Sequence, residues 1–289
     1  MTENSFIHIA FTLCEKVANS PFPLGLAAAY ASIRERTQER IYLHVIVDDS
    51  VSAETRQRLS ETLRCSDQIQ FYESDVVQES ESLSFALDGR YSKAIIWRAW
   101  IAEYLSHLKK CILLDCDLIF NFDIQSLYRV DLSDHAISAS LRVVPRAKEL
   151  HEWLGVPPNR YFRLTCVILN LEAMRANKYF CLGRRKFMND LNIAAQRGLK
   201  GGWALEQSLF NHFYFDQNIP FDIPLIPVDR IQGHPRESEW RKALQAGEPR
   251  ILDMKGWKSR SKYAEEFWDA LSLTSWRSQV NQLRRQSGV

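Results

Sequence analysis

Before residue 73 the chain alternates three short apolar runs with two helix-like segments, and no other feature restricts its fold as much. Residues 6–11 (FIHIAF), 41–47 (IYLHVIV) and 68–72 (QIQFY) read as strands. Between them lie LGLAAAYASIRER and SAETRQRLSETL, which have the composition of helices. Ser52 stands at the N-cap of the second, with Thr55 three residues on. Parallel strands need a long crossover, usually a helix, so this alternation predicts an α/β fold with a mainly parallel sheet. Ligands of such sheets bind outside the carboxyl ends of the strands.

Further along, residues 92–108 read as one helix, finished by Lys109 and Lys110 at the negative end of its dipole. A buried strand at 111–114 breaks into Asp115-Cys116-Asp117, and another apolar strand spans 165–170. Residues 220–249 hold five prolines and read as extended loop with one helical piece. Residues 262–283 form an amphipathic helical pattern. No repeat or low-complexity segment interrupts the chain. The expected organisation is one domain over 1–262 with a helical extension over 263–289.

Lys and Arg total 37 against 35 Asp and Glu, a net charge of +2, so no long-range field marks a general nucleic-acid binder. With 289 residues the chain can bury a core without disulfides or metal staples. None of the six cysteines forms a CxxC pair, which argues against a zinc site, and most sit in apolar runs as small core residues. Reduced thiols and a start that lacks the pattern of a signal peptide point to the cytoplasm. No apolar run approaches bilayer-crossing length.

The chemistry concentrates in ILLDCDLIF, residues 112–120. Two carboxylates two residues apart in a strand share a face. Their hard oxygens suit Mn²⁺ or Mg²⁺, ions that commonly complete their shells with substrate phosphates. The plain alternative is a pair of aspartates that punctuate a strand and face water. The apolar frame on both sides favours the functional reading, because charges in such a frame need partners. Arg98, flanked by Trp97 and Trp100, can pair with Asp115 or reach a pyrophosphate; the alternative is a surface side chain. Seven histidines show no ligand spacing, and only His234 lies in a loop near the proposed site. Trp203 beside Gly201-Gly202, and Trp257 beside Gly256, are candidates for stacking on a sugar.

These motifs, in this order, resemble the family 8 glycosyltransferases, retaining enzymes that include bacterial lipopolysaccharide galactosyl- and glucosyltransferases and glycogenin. Arg98 precedes Asp115 by seventeen residues, with Glu103-Tyr104 near the helix end. NFDIQSLYRVDLSDHAISAS, CVILNLEAMR, ALEQSLFNHFY and ILDMKGWKSRSKY follow in family order, so the resemblance runs from Phe6 to about Trp268. It implies a GT-A, Rossmann-like nucleotide-diphospho-sugar transferase fold and a metal-dependent retaining hexosyl transfer from a UDP-sugar. The metal, Mn²⁺ or Mg²⁺, falls to Asp115, Asp117 and Asp253, the last standing where the family has a His. Donor contacts fall to Ala10, Thr12, Arg98, Cys116, Gly256, Trp257 and Lys258, with Thr12 near the uracil ring. Gln207 and Glu206 take the catalytic positions, Gln207 stabilising the oxocarbenium-like centre. The lysines around Gly256 are alternatively a solvated basic loop.

The chain departs from the family at several places. Phe162-Arg163-Leu164-Thr165 replaces Phe-Asn-x-Gly, Ser208 replaces the second Asp of Asp-Gln-Asp, and the Pro-Trp pair after the lysine is missing. A catalytically impaired nucleotide-sugar binder is therefore the first alternative. The second is a haloacid dehalogenase-like phosphatase, disfavoured by a motif 115 residues into the chain and by Ile119. The expected partners are a nucleotide sugar and a carbohydrate, glycolipid or glycoprotein acceptor, without nucleic acid. In the tail, Trp268, Leu271, Leu273, Trp276, Val280 and Leu283 recur at helical spacing beside Arg277, Arg284 and Arg285. This pattern fits either a helix packed on the domain as core, the reading slightly favoured, or weak peripheral contact with the inner face of the membrane.

Overall fold

The computed structural model describes residues 6–15, 22–78, 93–141, 148–199, 205–227, 242–243, 245–254 and 264–287. The N-terminal unit is β1 (Ile7–Leu13), α1 (Phe22–Arg34), β2 (Ile41–Val47), α2 (Ala53–Thr62) and β3 (Gln68–Glu73). Ser52 caps α2 as its sequence implies, its side chain accepting the Thr55 N–H. There follow α3 (Ala94–Trp97), a 3₁₀ turn (Arg98–Trp100), α4 (Ile101–Tyr104), β4 (Lys110–Leu114), β5 (Leu118–Phe120), α5 (Gln125–Tyr128) and β6 (Ile137–Leu141). The remainder is α6 (Lys148–Leu154), β7 (Phe162–Asn170), α7 (Leu171–Ala176), α8 (Lys178–Gln196), α9 (Leu205–Tyr214), β8 (Leu225–Pro227), β9 (Ile251–Asp253), α10 (Ala264–Ser272) and α11 (Val280–Ser287).

Six strands form the main sheet in the order β3-β2-β1-β4-β7-β6. The first four run parallel, and β7 is antiparallel to both its neighbours. Both faces are covered, which is why these strands read as near-continuous apolar runs. Ile7, Ile9, Phe11 and Leu13 face one core, shared with α1 and the C-terminal helices. Ala10, Ile46, Leu113 and Val167 face the other, with Trp97, Trp100, Leu209 and Phe210. A small sheet, β5-β9-β8, lies beyond the end of β4.

Helix α1 is buried over nearly its whole length, and its run of alanines lets it sit close between its neighbours. At Gly25 the approach is closer still: a Cβ there would collide with the carbonyl oxygen of Cys116. This glycine lets the helix support the Asp115–Asp117 turn by backbone contact.

Two expectations change. The segment 92–108 is not one helix. It tightens to 3₁₀ geometry at Arg98–Trp100 and ends at Tyr104. Residues i and i+3 eclipse in a 3₁₀ turn, so Trp97 and Trp100 reach one core together. Lys110 does not close that helix but opens β4, where its Nζ donates to the Val130 carbonyl and lies 5.4 Å over the Tyr128 ring.

In the tail the core reading holds and membrane contact is not supported. Trp268 is 1% exposed, and Phe267, Leu271, Trp276 and Val280 are buried with it in the core that contains α1. Arg284 pairs with Glu265 at 2.9 Å. Only Leu273 of the stripe is well exposed, so the apolar face is core and not a membrane-facing surface.

Candidate active site

The carboxyl ends of β1 and β4 bring the candidate residues together. Strand β4 is buried through Leu114 and then turns, with the Asp115 N–H bonded to the Thr165 carbonyl of β7 at 2.8 Å. That bond fixes where the Asp115 carboxylate begins. Across from it, the 3₁₀ turn points Arg98 inward, and its guanidinium meets Asp115 Oδ1 at 2.5 Å. Arg98 Nε also lies 3.5 Å from Thr12 Oγ1, at the end of β1. The surface reading of Arg98 fails, since the residue is only 6% exposed. Burial pulls its pKa down, but the carboxylates of Asp115 and Glu206 outweigh burial and raise it above the ordinary arginine value. Glu206, in the first turn of α9, therefore belongs to the same charge group.

Asp117 and Asp253 come together through the small sheet. Asp253 pairs with Leu118 across β5 and β9, and the Met254 N–H donates to the Asp117 carbonyl at 2.7 Å. Asp253 is buried. The three carboxylates have the hard-oxygen chemistry that Mn²⁺ and Mg²⁺ require. As they stand they do not close on a cation: among the described residues no three His, Cys, Asp or Glu side chains form a metal-holding group. Asp115 has given one oxygen to Arg98. Three carboxylates have the chemistry of a hard-cation donor set, and pairing with an arginine does not remove that chemistry from Asp115.

Cys116 turns its thiol away from this edge. The sulfur is buried, donates to the Thr12 carbonyl at 3.6 Å, and has its pKa pushed up by burial first and by the aspartates on either side. Only its backbone remains for a ligand. Ala10 lies two residues before Thr12 on the same strand, fully buried among the apolar side chains of the second core. Gly256, Trp257 and Lys258 lie outside the described residues, as do Trp203 and His234.

Gln207 follows Glu206 on α9, half-buried, with its Nε2 donating to the Tyr161 hydroxyl at 3.0 Å. Ser208, the residue after it, is sealed, and its hydroxyl has no partner among the described residues. Sequence reading missed three residues that set this geometry. Asn211 bonds both the N–H (2.8 Å) and the carbonyl (3.0 Å) of Phe162, and also the Gln207 carbonyl (2.8 Å), which ties α9 to the start of β7. Its spacing of four from Gln207 was the one available signal. Tyr161 precedes β7 and gave no signal. Arg184 of α8 bonds the Ala99 carbonyl at 2.9 Å, pairs with Glu103 at 2.5 Å and lies 4.6 Å over the Trp100 ring. It grips the residues that follow Arg98, though nothing in its own neighbourhood of the sequence marks it.

Comparison with known proteins agrees with this fold. The chain is 22% identical to General stress protein A of Bacillus subtilis (strain 168), over 96% of each chain. Among solved structures it resembles the apo bifunctional glycosyltransferase WbbM (TM-score 0.72, 14% identity), covering 96% of this chain and about half (52%) of WbbM. It also resembles the galactosyltransferase LgtC, solved with donor and acceptor sugar analogs (TM-score 0.69, 16% identity, 94% of this chain and 99% of LgtC). Mouse xyloside xylosyltransferase 1 is similar at TM-score 0.59, with 17% identity over 86% of this chain and 97% of that one. The model of glycosyl transferase family 8 matches residues 16–223, a stretch that holds Arg98, Asp115, Asp117, Glu206 and Gln207. The chain belongs to glycosyl transferase family 8, and with it to the glycosyltransferases.

Proposed function

We propose that this glycosyltransferase moves a hexose from a UDP-sugar to a hydroxyl of a carbohydrate, glycolipid or glycoprotein acceptor, with retention at the anomeric carbon. The observation that carries the reading is the buried Arg98, paired with Asp115 and within the field of Glu206 at the carboxyl ends of β1 and β4. A cation sealed at that edge is what an anionic diphosphate would meet. The donor and acceptor sugar analogs bound to LgtC support the same class of partners here.

In this reading Arg98 receives the diphosphate and Thr12 stands beside the base. Asp115, Asp117 and Asp253 are the residues that would hold Mn²⁺ or Mg²⁺. That ion, when bound, neutralises charge on the leaving nucleoside diphosphate. Gly256, Trp257 and Lys258 complete the donor side. As the bond between the anomeric carbon and the diphosphate lengthens, positive charge grows on the sugar ring. The Gln207 amide dipole stabilises that charge from a fixed position, and Glu206 adds its negative field. The acceptor hydroxyl attacks from the leaving-group side, and the departing phosphate oxygen takes its proton.

The same site with its departures at Arg163, Thr165 and Ser208 defines the alternative, a binder that has lost turnover. One experiment separates the two. UDP-glucose and UDP-galactose are each added with Mn²⁺, and both the unfolding midpoint and the release of free UDP are followed. Ligand at a hundredfold excess over its Kd stabilises by about 2.7 kcal/mol. A raised midpoint with slow UDP release supports the transferase, and a raised midpoint without release supports the binder. No shift with either sugar, with or without Mn²⁺, removes the UDP-sugar reading.

A further inference from the structure

Gln207 is held from two sides. Asn211 takes its backbone carbonyl and pins the same turn of α9 to both backbone groups of Phe162. Tyr161, one residue earlier in the chain, takes its side chain: Gln207 Nε2 donates to the phenol oxygen at 3.0 Å. The phenol is itself fixed. Tyr161 is 2% exposed, and its ring stands edge-on to His151 of α6, with centroids 5.0 Å apart and an 88° angle between planes. A half-buried glutamine would ordinarily rotate about its last bond and present either end of the amide. Here the nitrogen end is committed to a buried, packed partner. The oxygen end, with its partial negative charge, is left to face the opposite way.

We propose that Tyr161 is a positioning residue for glycosyl transfer: by accepting the Gln207 N–H it directs Gln207 Oε1 at the anomeric carbon. The inference rests on the catalytic reading of Gln207 given above. Tyr161 touches no reacting atom and acts only through Gln207. A preorganised dipole stabilises developing charge because it needs no reorientation as the reaction proceeds. A freely rotating amide would spend part of its time with its positive N–H end toward that charge. The cost of freeing it should therefore fall on kcat and not on donor affinity.

Tyr161→Phe keeps the ring and its packing and removes only the acceptor oxygen. With UDP-galactose and UDP-glucose as probes, Mn²⁺ present and water as acceptor, the variant is expected to lose about tenfold in kcat, with KM unchanged. Gln207→Ala should lose at least as much, and Tyr161→Phe/Gln207→Ala no more than Gln207→Ala alone. Normal kcat in Tyr161→Phe beside an impaired Gln207→Ala overturns the positioning role and leaves the catalytic one. Losses that multiply in the double variant also overturn it, because Tyr161 would then act independently of Gln207. Normal kcat in Gln207→Ala sinks the catalytic reading itself, and the proposal with it. A second readout needs neither substrate nor turnover: side-chain amide relaxation of selectively ¹⁵N-labelled glutamine. The Gln207 amide should be rigid in the native protein and mobile in Tyr161→Phe; an amide mobile in both overturns the proposal.

Discussion

A guanidinium shut away from water must be matched by carboxylates, and Arg98 has Asp115 in direct contact and Glu206 in its field. Asp115→Asn removes one of those charges while keeping the shape. The buried cation is then left with Glu206 alone. The expected loss of stability is about 3 kcal/mol, the lower end for broken buried pairs, because Glu206 remains. Urea denaturation measures it, and calorimetry with UDP and Mn²⁺ should show the affinity falling in the same variant. Unchanged stability would mean that Glu206 by itself suffices for Arg98. At this scale the sequence marks Asp115, Asp117 and Arg98 by their setting, and Gln207 only through the family resemblance. It does not mark Tyr161 and Arg184, because each acts on a residue far away in the chain, and no local pattern encodes such a contact.

At the scale of elements, the main sheet carries a polar chain inside an apolar layer. His8 Nδ1 lies 2.9 Å from His44 Nε2, and His44 Nδ1 lies 2.9 Å from the Tyr72 hydroxyl, which links β1, β2 and β3. Burial first, then the neighbouring His8 and His107, push the pKa of His44 down to about 3. An unfolded chain takes up that proton near pH 6.5, the folded one only near 3. The contribution of His44 is therefore complete above pH 6.5 and is lost as pH falls toward 3. Its size is on the order of 5 kcal/mol. Urea midpoints followed from pH 7 to about pH 3.5 should fall more steeply in the native protein than in His44→Phe. Carboxylates titrate in both, so they cancel from the difference, which reads His44 together with its coupling to His8 and His107, and parallel curves would refute the assignment. The broken helix belongs to this scale too. A helix-like composition extends over 92–108, but burying Trp97, Trp100 and Arg98 together required the 3₁₀ turn. Propensity is a weak prior once packing decides.

At the scale of the whole molecule, the C-terminal helices complete the core beneath the site. Phe267, Trp268, Leu271 and Trp276 are buried with α1, whose Gly25 supports the Asp115–Asp117 turn. Each such side chain contributes about 1.5–3 kcal/mol of burial. Together they rival the whole stability of a typical domain, about 5–15 kcal/mol. A chain ended after Lys262 should thus lose its cooperative thermal transition, as followed by circular dichroism. A sharp transition near the native temperature would instead make the tail an independent appendage.

Strand alternation and apolar runs near the start were enough to specify the mainly parallel sheet, because short-range periodicity records which faces are buried. Motif order was enough to indicate the family. Partner choice was not written locally. Whether the aromatic stripe of the tail met lipid or α1 depended on what lay opposite it once the chain had folded. The same holds for Arg98, for the amide of Gln207, and for Asp253 beside Asp117. Burial and pairing are properties of a neighbourhood, and these neighbourhoods are assembled from residues tens to more than a hundred positions apart.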